Sequence, residues 1–351
     1  MTIFMAKAFL IPVFTVLLAV LTSCMDDNKT DDPSAGEVNL YSSRHYDTDQ
    51  ALYDNFTEAT GIKVNLIEAG ADELIARIES EGVSSPADLL ITVDAGRLWR
   101  AEQAGIFQPV NSAVLADRLP GNMRHPEGLW MGLSKRARVI VYNRAAGMPE
   151  PLATYADLAN PGHKEKVCIR SSSNIYNISL MASIVARSGE AAAEEWAAGV
   201  VANFARTPQS NDTGQIRAVA SGECGIAIAN TYYLARLAAS EDPQDQAVAA
   251  AVGIVFPDQA GNGTHVNISG AGLVKTAPNP ENAIRFLEYL ASDQAQSLFA
   301  NGNHEYPAVP GIAATSTVVA LGDFAEDPLN TSELGVNQAA ALMVFDRAGW
   351  K

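Results

Sequence analysis

The chain has little positive charge and none of the common hydrolase or nucleotide-binding motifs. Of its 351 residues, 24 are Lys or Arg and 40 are Asp or Glu, so the formal net charge is −16 at pH 7. Such an acidic excess argues against binding to nucleic acid or to anionic membrane surfaces. No Gly-x-Ser-x-Gly, Gly-Lys-Ser/Thr or His-Glu-x-x-His motif occurs, and no nucleophile stands beside a base. The sequence therefore favours a binding protein over an enzyme.

The apolar run near the N-terminus is too short to span a membrane. It covers the 14 residues from Ala8 to Leu21, whereas a spanning helix needs about 20. It ends in Leu21-Thr22-Ser23-Cys24, which resembles the bacterial lipobox, in which the cysteine is lipidated. We therefore predict a lipoprotein signal peptide at 1–23, with Cys24 as the lipidated residue. Ordinary cleavage with an incidental Cys24 is the alternative. The Asp-, Asn- and Ser-rich segment 24–36 is predicted to be a flexible tether.

Cysteine is scarce as well. Beyond Cys24 the chain contains Cys168 and Cys224 only. In an exported protein, two cysteines on adjacent strands can form a disulfide. Each precedes a polar loop, so the bond would brace the part of the fold that carries both loops. Two unpaired thiols in the core are the alternative.

Strands and helices alternate along the rest of the chain, which is typical of an α/β fold with helices on both faces of a sheet. Two long extended segments, Trp130 to Asn143 and His265 to Thr276, interrupt this alternation. We interpret them as crossings between two α/β lobes with a ligand cleft between them. The predicted lobes are 37–137 plus 262–318 and 138–261 plus 319–351.

Two adjacent tyrosines, Tyr232 and Tyr233, stand where an apolar strand is predicted to give way to a helix. On a first helical turn their side chains lie about 100° apart and can converge beyond the helix end. Paired phenols suit a hard, highly charged cation, because oxygen ligands prefer hard ions and the cation favours the phenolate. Ferric iron is the leading candidate. The alternative is an ordinary amphipathic helix start with one tyrosine buried and the other exposed.

Three loops share one pattern, a strand followed by a polar turn and a tyrosine at a helix start. They are Arg44-His45-Tyr46, Ser173-Asn174-Ile175-Tyr176 and Asn230-Thr231-Tyr232-Tyr233. Together they resemble the periplasmic ferric-ion-binding proteins of ABC importers, and the resemblance extends through Gly263-Thr264-His265 to Ala348-Gly349-Trp350-Lys351. It implies the fold of a type II periplasmic binding protein.

The resemblance also implies roles for individual residues. It makes Tyr46, Tyr176, Tyr232 and Tyr233 the Fe(III) ligands and His45 a candidate fifth ligand. It places Arg136 and Arg236 beside the phenolates, and Arg44 is a further candidate for that position. Ser171-Ser172-Ser173-Asn174 is interpreted as a helix cap, with a synergistic-anion site as the alternative. The remaining histidines are expected to be structural or exposed: His125, His163, His265 and His304.

The implied function is that of a substrate-binding lipoprotein, a monomer held at a membrane in the periplasm. It would take Fe(III) and deliver it to the permease and ATPase subunits of an ABC importer. A protein of the same fold that binds an oxyanion or a small organic cation is the alternative, and an iron-dependent enzyme is a weaker one. An iron oxygenase would be expected to show two histidines and a carboxylate around the metal, unlike this set of tyrosines.

Overall fold

The predicted alternation of strands and helices is present in a computed structural model, which describes residues 1–2, 36–44 and 46–351. Nearly all of the predicted signal peptide (3–23) and of the predicted tether (24–35), together with Cys24 and His45, lies outside the described residues. The described residues from 36 onward belong to one compact unit. Its strands are β1 (Glu37–Ser42), β2 (Lys63–Glu68), β3 (Leu89–Val93), β4 (Phe107–Gln108), β5 (Met131–Asn143), β6 (Val167–Cys168), β7 (Ile226–Asn230), β8 (Val252–Val255), β9 (Val266–Val274) and β10 (Tyr306–Pro307).

The helices cover both faces of the strands. They are α1 (Gln50–Thr60), α2 (Ala71–Glu81), α3 (Ala95–Gln103), α4 (Ala113–Arg118), α5 (Ile175–Ala202), α6 (Asp212–Ser221), α7 (Thr231–Ala239), α8 (Pro243–Ala251), α9 (Pro280–Leu290), α10 (Asp293–Asn303), α11 (Ser316–Val319), α12 (Glu333–Val336) and α13 (Gln338–Ala348). Gly189 interrupts α5 with a φ of 80°, a left-handed conformation that glycine adopts at little cost. The sequence predicts two helices across this glycine, and the structure confirms the break.

The strands form one curled sheet in the order β2-β1-β3-β9-β5-β7-β6. Parallel pairs stand at both ends of this order, because β1 pairs with β2 and β3, and β6 pairs with β7. The two long strands lie in the middle and pair antiparallel with each other. The first half of β5 pairs with β9 and its second half pairs with β7. The predicted extended segments are therefore strands that join the two ends of the sheet.

Buried apolar side chains gather into separate clusters at the two ends of the sheet. One cluster surrounds β1, β3 and β9 and includes Phe56, Trp130 and Phe286. Two others surround β6, β7 and the second half of β5, with Trp196 in one and Ile216 in the other. Separate cores are what a two-lobed molecule needs. The residue boundaries predicted for the lobes stay a prediction.

Several short elements have no clear signal in the sequence, namely β4, β8, β10, α8 and α11. These elements are brief and mostly half-exposed, so they carry little hydrophobic periodicity.

Among the residues that the structure describes, no helix is long and apolar enough to cross a membrane.

Candidate metal centre

Tyr232 and Tyr233 lie on the first turn of α7, directly after β7 ends at Asn230. Their ring centroids are 4.3 Å apart, and the ring planes are tilted by 36°. Tyr232 is buried, whereas Tyr233 is half-buried. A strand would direct adjacent side chains to opposite faces, but the start of a helix lets these two rings lie side by side.

Tyr176 lies opposite this pair at the start of α5. The side chain of Asn174 caps the helix by accepting the backbone N–H of Tyr176 at 3.2 Å. The phenol of Tyr232 donates to the phenol oxygen of Tyr176 at 3.2 Å. Two strand-to-helix junctions that are distant in sequence thus bring three phenols together.

Tyr46 completes the group from the loop between β1 and α1. The guanidinium carbon of Arg236 lies 5.1 Å from the ring centroid of Tyr46 and 5.0 Å from that of Tyr232. One arginine therefore contacts tyrosines from both ends of the sheet. The structure brings together all four tyrosines that the sequence singles out, while His45 lies outside the described residues.

Arginines surround the phenols on several sides. The guanidinium carbons of Arg136, Arg138 and Arg170 lie 5.6, 5.9 and 5.3 Å from the ring centroid of Tyr176. That of Arg44 lies 4.9 Å from the ring centroid of Tyr46. The predicted arginines, Arg44, Arg136 and Arg236, are therefore all next to the tyrosines.

Arg138 and Arg170 also contact the site, although neither is among the arginines predicted from the sequence. Arg136 and Arg138 are two residues apart on β5, so their side chains lie on the same face of that strand. Arg170 follows β6 at the start of the loop that leads to Tyr176. The spacing on the strand and the position in the loop were signals that could have identified both residues.

Buried carboxylates neutralise some of these arginines. Asp49 and Glu305 accept from Arg44 at 2.7 and 3.2 Å. Asp212 accepts from Arg138 at 3.1 Å and from Arg170 at 3.5 Å. Burial tends to raise the pKa of Glu305, but the positive charges of Arg44 and Arg136 outweigh it and leave that pKa below its usual value. These ion pairs fix the arginines in place.

Arg136 keeps unused donors. One of its nitrogens donates to the hydroxyl of Ser269 at 3.2 Å. Its Nε and its other terminal nitrogen are buried and have no hydrogen-bond partner among the described residues. Because unpaired buried donors are costly, this guanidinium fits a site that receives an anionic oxygen.

Three of the four phenols have a pKa above that of a free tyrosine. Burial raises the pKa of Tyr46, Tyr176 and Tyr232, and neighbouring acidic groups raise it further. The nearby arginines lower the pKa of these phenols but do not cancel the effect of burial. A bound ligand must therefore supply enough positive charge to ionise them.

Conventional metal ligands do not gather elsewhere in the part of the chain that the structure describes. Within residues 36–44 and 46–351, no three His, Cys, Asp or Glu side chains form a group that could hold a metal ion. His163 and His265 are buried, in agreement with a structural role. His304 is closer to the tyrosines than its sequence position indicates, because it shares a cavity of about 390 Å³ with Tyr233 and Arg236.

The serine-rich loop differs in detail from its expected role. The cap of α5 is Asn174, while the hydroxyls of Ser171 and Ser173 bond to each other at 2.8 Å. Within Ser171-Ser172-Ser173-Asn174, the cap is therefore supplied by Asn174 and not by a serine. An amide oxygen one residue before the helix reaches the free N–H groups more directly than the earlier hydroxyls do.

A disulfide joins Cys168 to Cys224, whose Cα atoms are 5.9 Å apart. Cys168 ends β6, and Cys224 lies just before β7, its parallel neighbour. The bond therefore ties together the two segments that lead to Tyr176 and to the Tyr232–Tyr233 pair.

Comparison with known proteins identifies the family. The family model for bacterial extracellular solute-binding proteins matches residues 84–321. The chain belongs to this family. It is 52% identical to iron uptake protein A1 of Synechocystis over 98% of this chain and 96% of that protein. Its fold is that of a type II periplasmic binding protein, with two α/β lobes and a cleft between them.

Solved structures agree with this assignment. A Trichodesmium protein in complex with iron and citrate ligands has a TM-score of 0.88 and 58% identity, covering 90% of this chain and all of that one (100%). A ferric binding protein from Campylobacter jejuni has a TM-score of 0.84 and 37% identity, with coverages of 90% and 100%. The predictions of fold class and of family are confirmed.

Proposed function

We propose that this protein captures Fe(III) in the cleft between its lobes and delivers it to an ABC importer. The observation that carries the proposal is the convergence of Tyr46, Tyr176, Tyr232 and Tyr233 within a ring of arginines. Relatives that are described as iron uptake and ferric iron-binding proteins support the same ligand.

The donor set suits a ferric ion better than a softer or less charged one. Phenolate oxygens are hard ligands. The phenols of Tyr46, Tyr176 and Tyr232 have raised pKa values, so only a strongly charged cation ionises them at neutral pH. Four phenolates and one ferric ion carry one net negative charge, which the surrounding guanidiniums offset. Arg136, with its unused donors, is placed to hydrogen-bond a phenolate.

Closure of the lobes on the metal completes the proposed site. Tyr46 comes from the lobe assigned to 37–137 plus 262–318, and the other three tyrosines come from 138–261 plus 319–351. A ligand that contacts both lobes stabilises the closed form, because only that form makes all the contacts. His45, next to Tyr46 in sequence, is the proposed fifth ligand. The role is binding and transfer rather than catalysis, since protein side chains supply the donors.

A visible-absorption titration tests the ligand set. The chain from Met25 onward contains the whole compact unit; we expect chelated Fe(III) to give it an intense phenolate-to-iron colour that saturates at one iron per chain. Tyr232→Phe/Tyr233→Phe should lose this colour, whereas Tyr142→Phe, which lies outside the site, should keep it. Absence of colour in the unmodified protein would overturn the ferric assignment and leave an oxyanion, bound by the arginines, as the next candidate.

The proposed location is the periplasm, where a monomer is held at a membrane by a lipid on Cys24. Acyl chains contribute about 0.8 kcal/mol per buried CH₂, so several chains give firm attachment. Cys24→Ala should move the full-length protein from the membrane fraction to the soluble fraction of cells. If the variant and the unmodified protein fractionate alike, the lipid anchor is wrong while the iron site stands. The importer's permease and ATPase subunits are the proposed partners.

A further inference from the structure

A second cavity, of about 1250 Å³, lies apart from the tyrosines. None of the four tyrosines, and none of the arginines around them, lines it. Its walls come from the segment 148–156, from α5 on both sides of Gly189, from the turn 255–263, and from His265 and Asp327. Ligand cavities for small organic molecules measure about 300–1,000 Å³. The size is therefore sufficient for such a molecule, and the proposed iron site makes no use of this space.

The walls of the cavity are mostly apolar. The indole N–H of Trp196 donates to the carbonyl of Tyr155 at 2.7 Å, and the Tyr155 hydroxyl donates to the carbonyl of Arg138. The polar atoms of both rings are thus satisfied by the backbone. Leu152, Ile184 and the Trp196 ring remain as lining. Such walls favour a ligand with an apolar body, since burial of apolar surface is favourable wherever polar groups are already paired.

The charges on the lining are predominantly negative. Arg187, the lining's basic side chain, forms an ion pair with Asp327. Among the residues that the structure describes, no cation pairs with the lining carboxylates Glu150 and Asp258. Asp258 is half-buried, and its pKa is raised by burial and by the nearby carboxylates of Asp327 and Asp157. A bound cation would relieve this mutual repulsion.

We propose that this cavity binds a small organic cation, an amine with an apolar body, at a site independent of the tyrosines. The apolar body lies against the segment 148–156 and α5, and the ammonium group pairs with Asp258. This inference does not depend on the proposed iron function, because the two sites share no residue.

Three dansyl probes of different charge test the proposal by fluorescence: dansylcadaverine (cationic), dansylamide (neutral) and dansylglycine (anionic). With the chain from Met25 onward, dansylcadaverine should saturate at one per chain, and the anion should bind most weakly. Tyr232→Phe/Tyr233→Phe should bind the cationic probe as the unmodified protein does. Equal affinity for all three probes, or no saturable binding, would overturn the proposal.

Asp258→Asn tests how much the negative charge of this carboxylate contributes to binding of the cation. Asp258 has a φ of 62°, and Asn tolerates that left-handed conformation as well as Asp does. The variant should bind dansylcadaverine about threefold to fivefold more weakly, in line with the loss of a partly exposed ion pair. Glu165→Gln is the matched control, because Glu165 also has a positive φ, of 59°, but lies outside the cavity. Equal weakening in both variants would contradict the role of Asp258.

Filling the cavity with larger side chains tests whether the probe occupies this space. Ala153 and Ala192 line it and are solvent-exposed, so Ala153→Phe/Ala192→Phe should fold and abolish binding of the cationic probe. Ala191→Phe, an exposed position beside Ala192 that does not line the cavity, should bind normally. Circular dichroism checks that the variants fold. Unchanged binding in the filled variant would show that the probe binds elsewhere and would overturn the proposal.

Discussion

The two sides of the tyrosine cluster are built by different interactions. The tyrosine-rich side consists of Tyr176, Tyr232 and Tyr233. Its contacts are a phenol-to-phenol hydrogen bond and a pair of adjacent rings. The ion-pair side consists of Arg44, Tyr46, Asp49 and Glu305. There a single phenol lies against a buried arginine held by two carboxylates.

This difference separates two tasks. The tyrosine-rich side holds three oxygen donors near one another without a metal, which lowers the entropic cost of assembling a site. The ion-pair side holds one oxygen donor, Tyr46, beside the fixed charge of Arg44. It therefore determines how much the fourth donor adds to the stability of the closed, iron-bound form. We therefore expect substitutions on the first side to decide whether iron binds at all, and those on the second to change its affinity or the stability of the fold.

The largest effect should come from the tyrosine-rich side. Tyr232→Phe/Tyr233→Phe removes two of the four donors and should weaken Fe(III) binding by at least about 10⁴-fold, or about 5.5 kcal/mol. Tyr46→Phe leaves the three clustered donors and should cost about 100-fold while a shifted colour persists. Competition with a chelator of known affinity measures both. If Tyr46→Phe abolishes binding as fully as the double variant does, both sides are equally necessary for iron binding. The proposed division of tasks between them would then be wrong.

The disulfide should be the next largest contributor, and it belongs to the tyrosine-rich side alone. Cys168→Ala/Cys224→Ala opens a bond between residues 56 positions apart, for which the chain-entropy relation gives about 4 kcal/mol of lost stability. Urea unfolding of the metal-free protein measures this loss, and reduction of the unmodified protein should reproduce it. An unfolding free energy that stays the same would show that the strand pairing holds this side without the bond.

The sequence predicts the tyrosine-rich side better than the ion-pair side, and the reason is physical. Strand-to-helix junctions leave local signals, such as the apolar run before Tyr232 and the asparagine one residue before α5. These signals place each tyrosine on a first helical turn. The two long extended segments likewise predict β5 and β9. They stand out in the sequence because each is longer than the roughly five or six residues of a typical strand.

Partners that are distant in sequence leave no such signal. Glu305 is 261 residues from Arg44, and nothing local indicates that a carboxylate there is buried. Asp49 is the N-cap residue of α1, where an acidic side chain usually accepts a backbone N–H, yet it makes no such bond and pairs with Arg44 instead. Local propensity was overridden by the need to neutralise a buried arginine. The large second cavity is likewise formed by segments far apart in the chain.

Arg44→Met tests the ion-pair side directly. The substitution leaves Asp49 and Glu305 buried without their cation, and breaking such a pair should cost about 3 kcal/mol of stability. Arg77→Met is the matched control. Arg77 pairs with Glu81 at the same distance of 2.7 Å, but its side chain is 48% exposed and the pair is screened by solvent, so its loss should cost much less stability than the loss of Arg44. Urea unfolding at pH 7 compares the two. Equal losses would mean that the buried pair is not what holds this side.

The smallest effect should appear at His265, whose backbone carbonyl accepts a hydrogen bond from the N–H of Arg138. Burial, together with the charges of Arg138 and Arg136, lowers the pKa of His265 to about 3. The unfolded chain binds a proton near pH 6.5, so stability should fall as the pH decreases from about 6.5 toward 3, by about 2 kcal/mol at pH 5. His265→Gln cannot bind that proton, and its unfolding free energy should fall less over the same range. Urea unfolding of both proteins at pH 7.5, 6 and 5 gives the difference, with pH 7.5 as the reference at which the imidazole is neutral in both states. If stability changes with pH in the same way in both proteins, His265 is protonated in the folded protein as readily as in the unfolded chain. The positive charges of Arg136 and Arg138 would then not prevent its protonation.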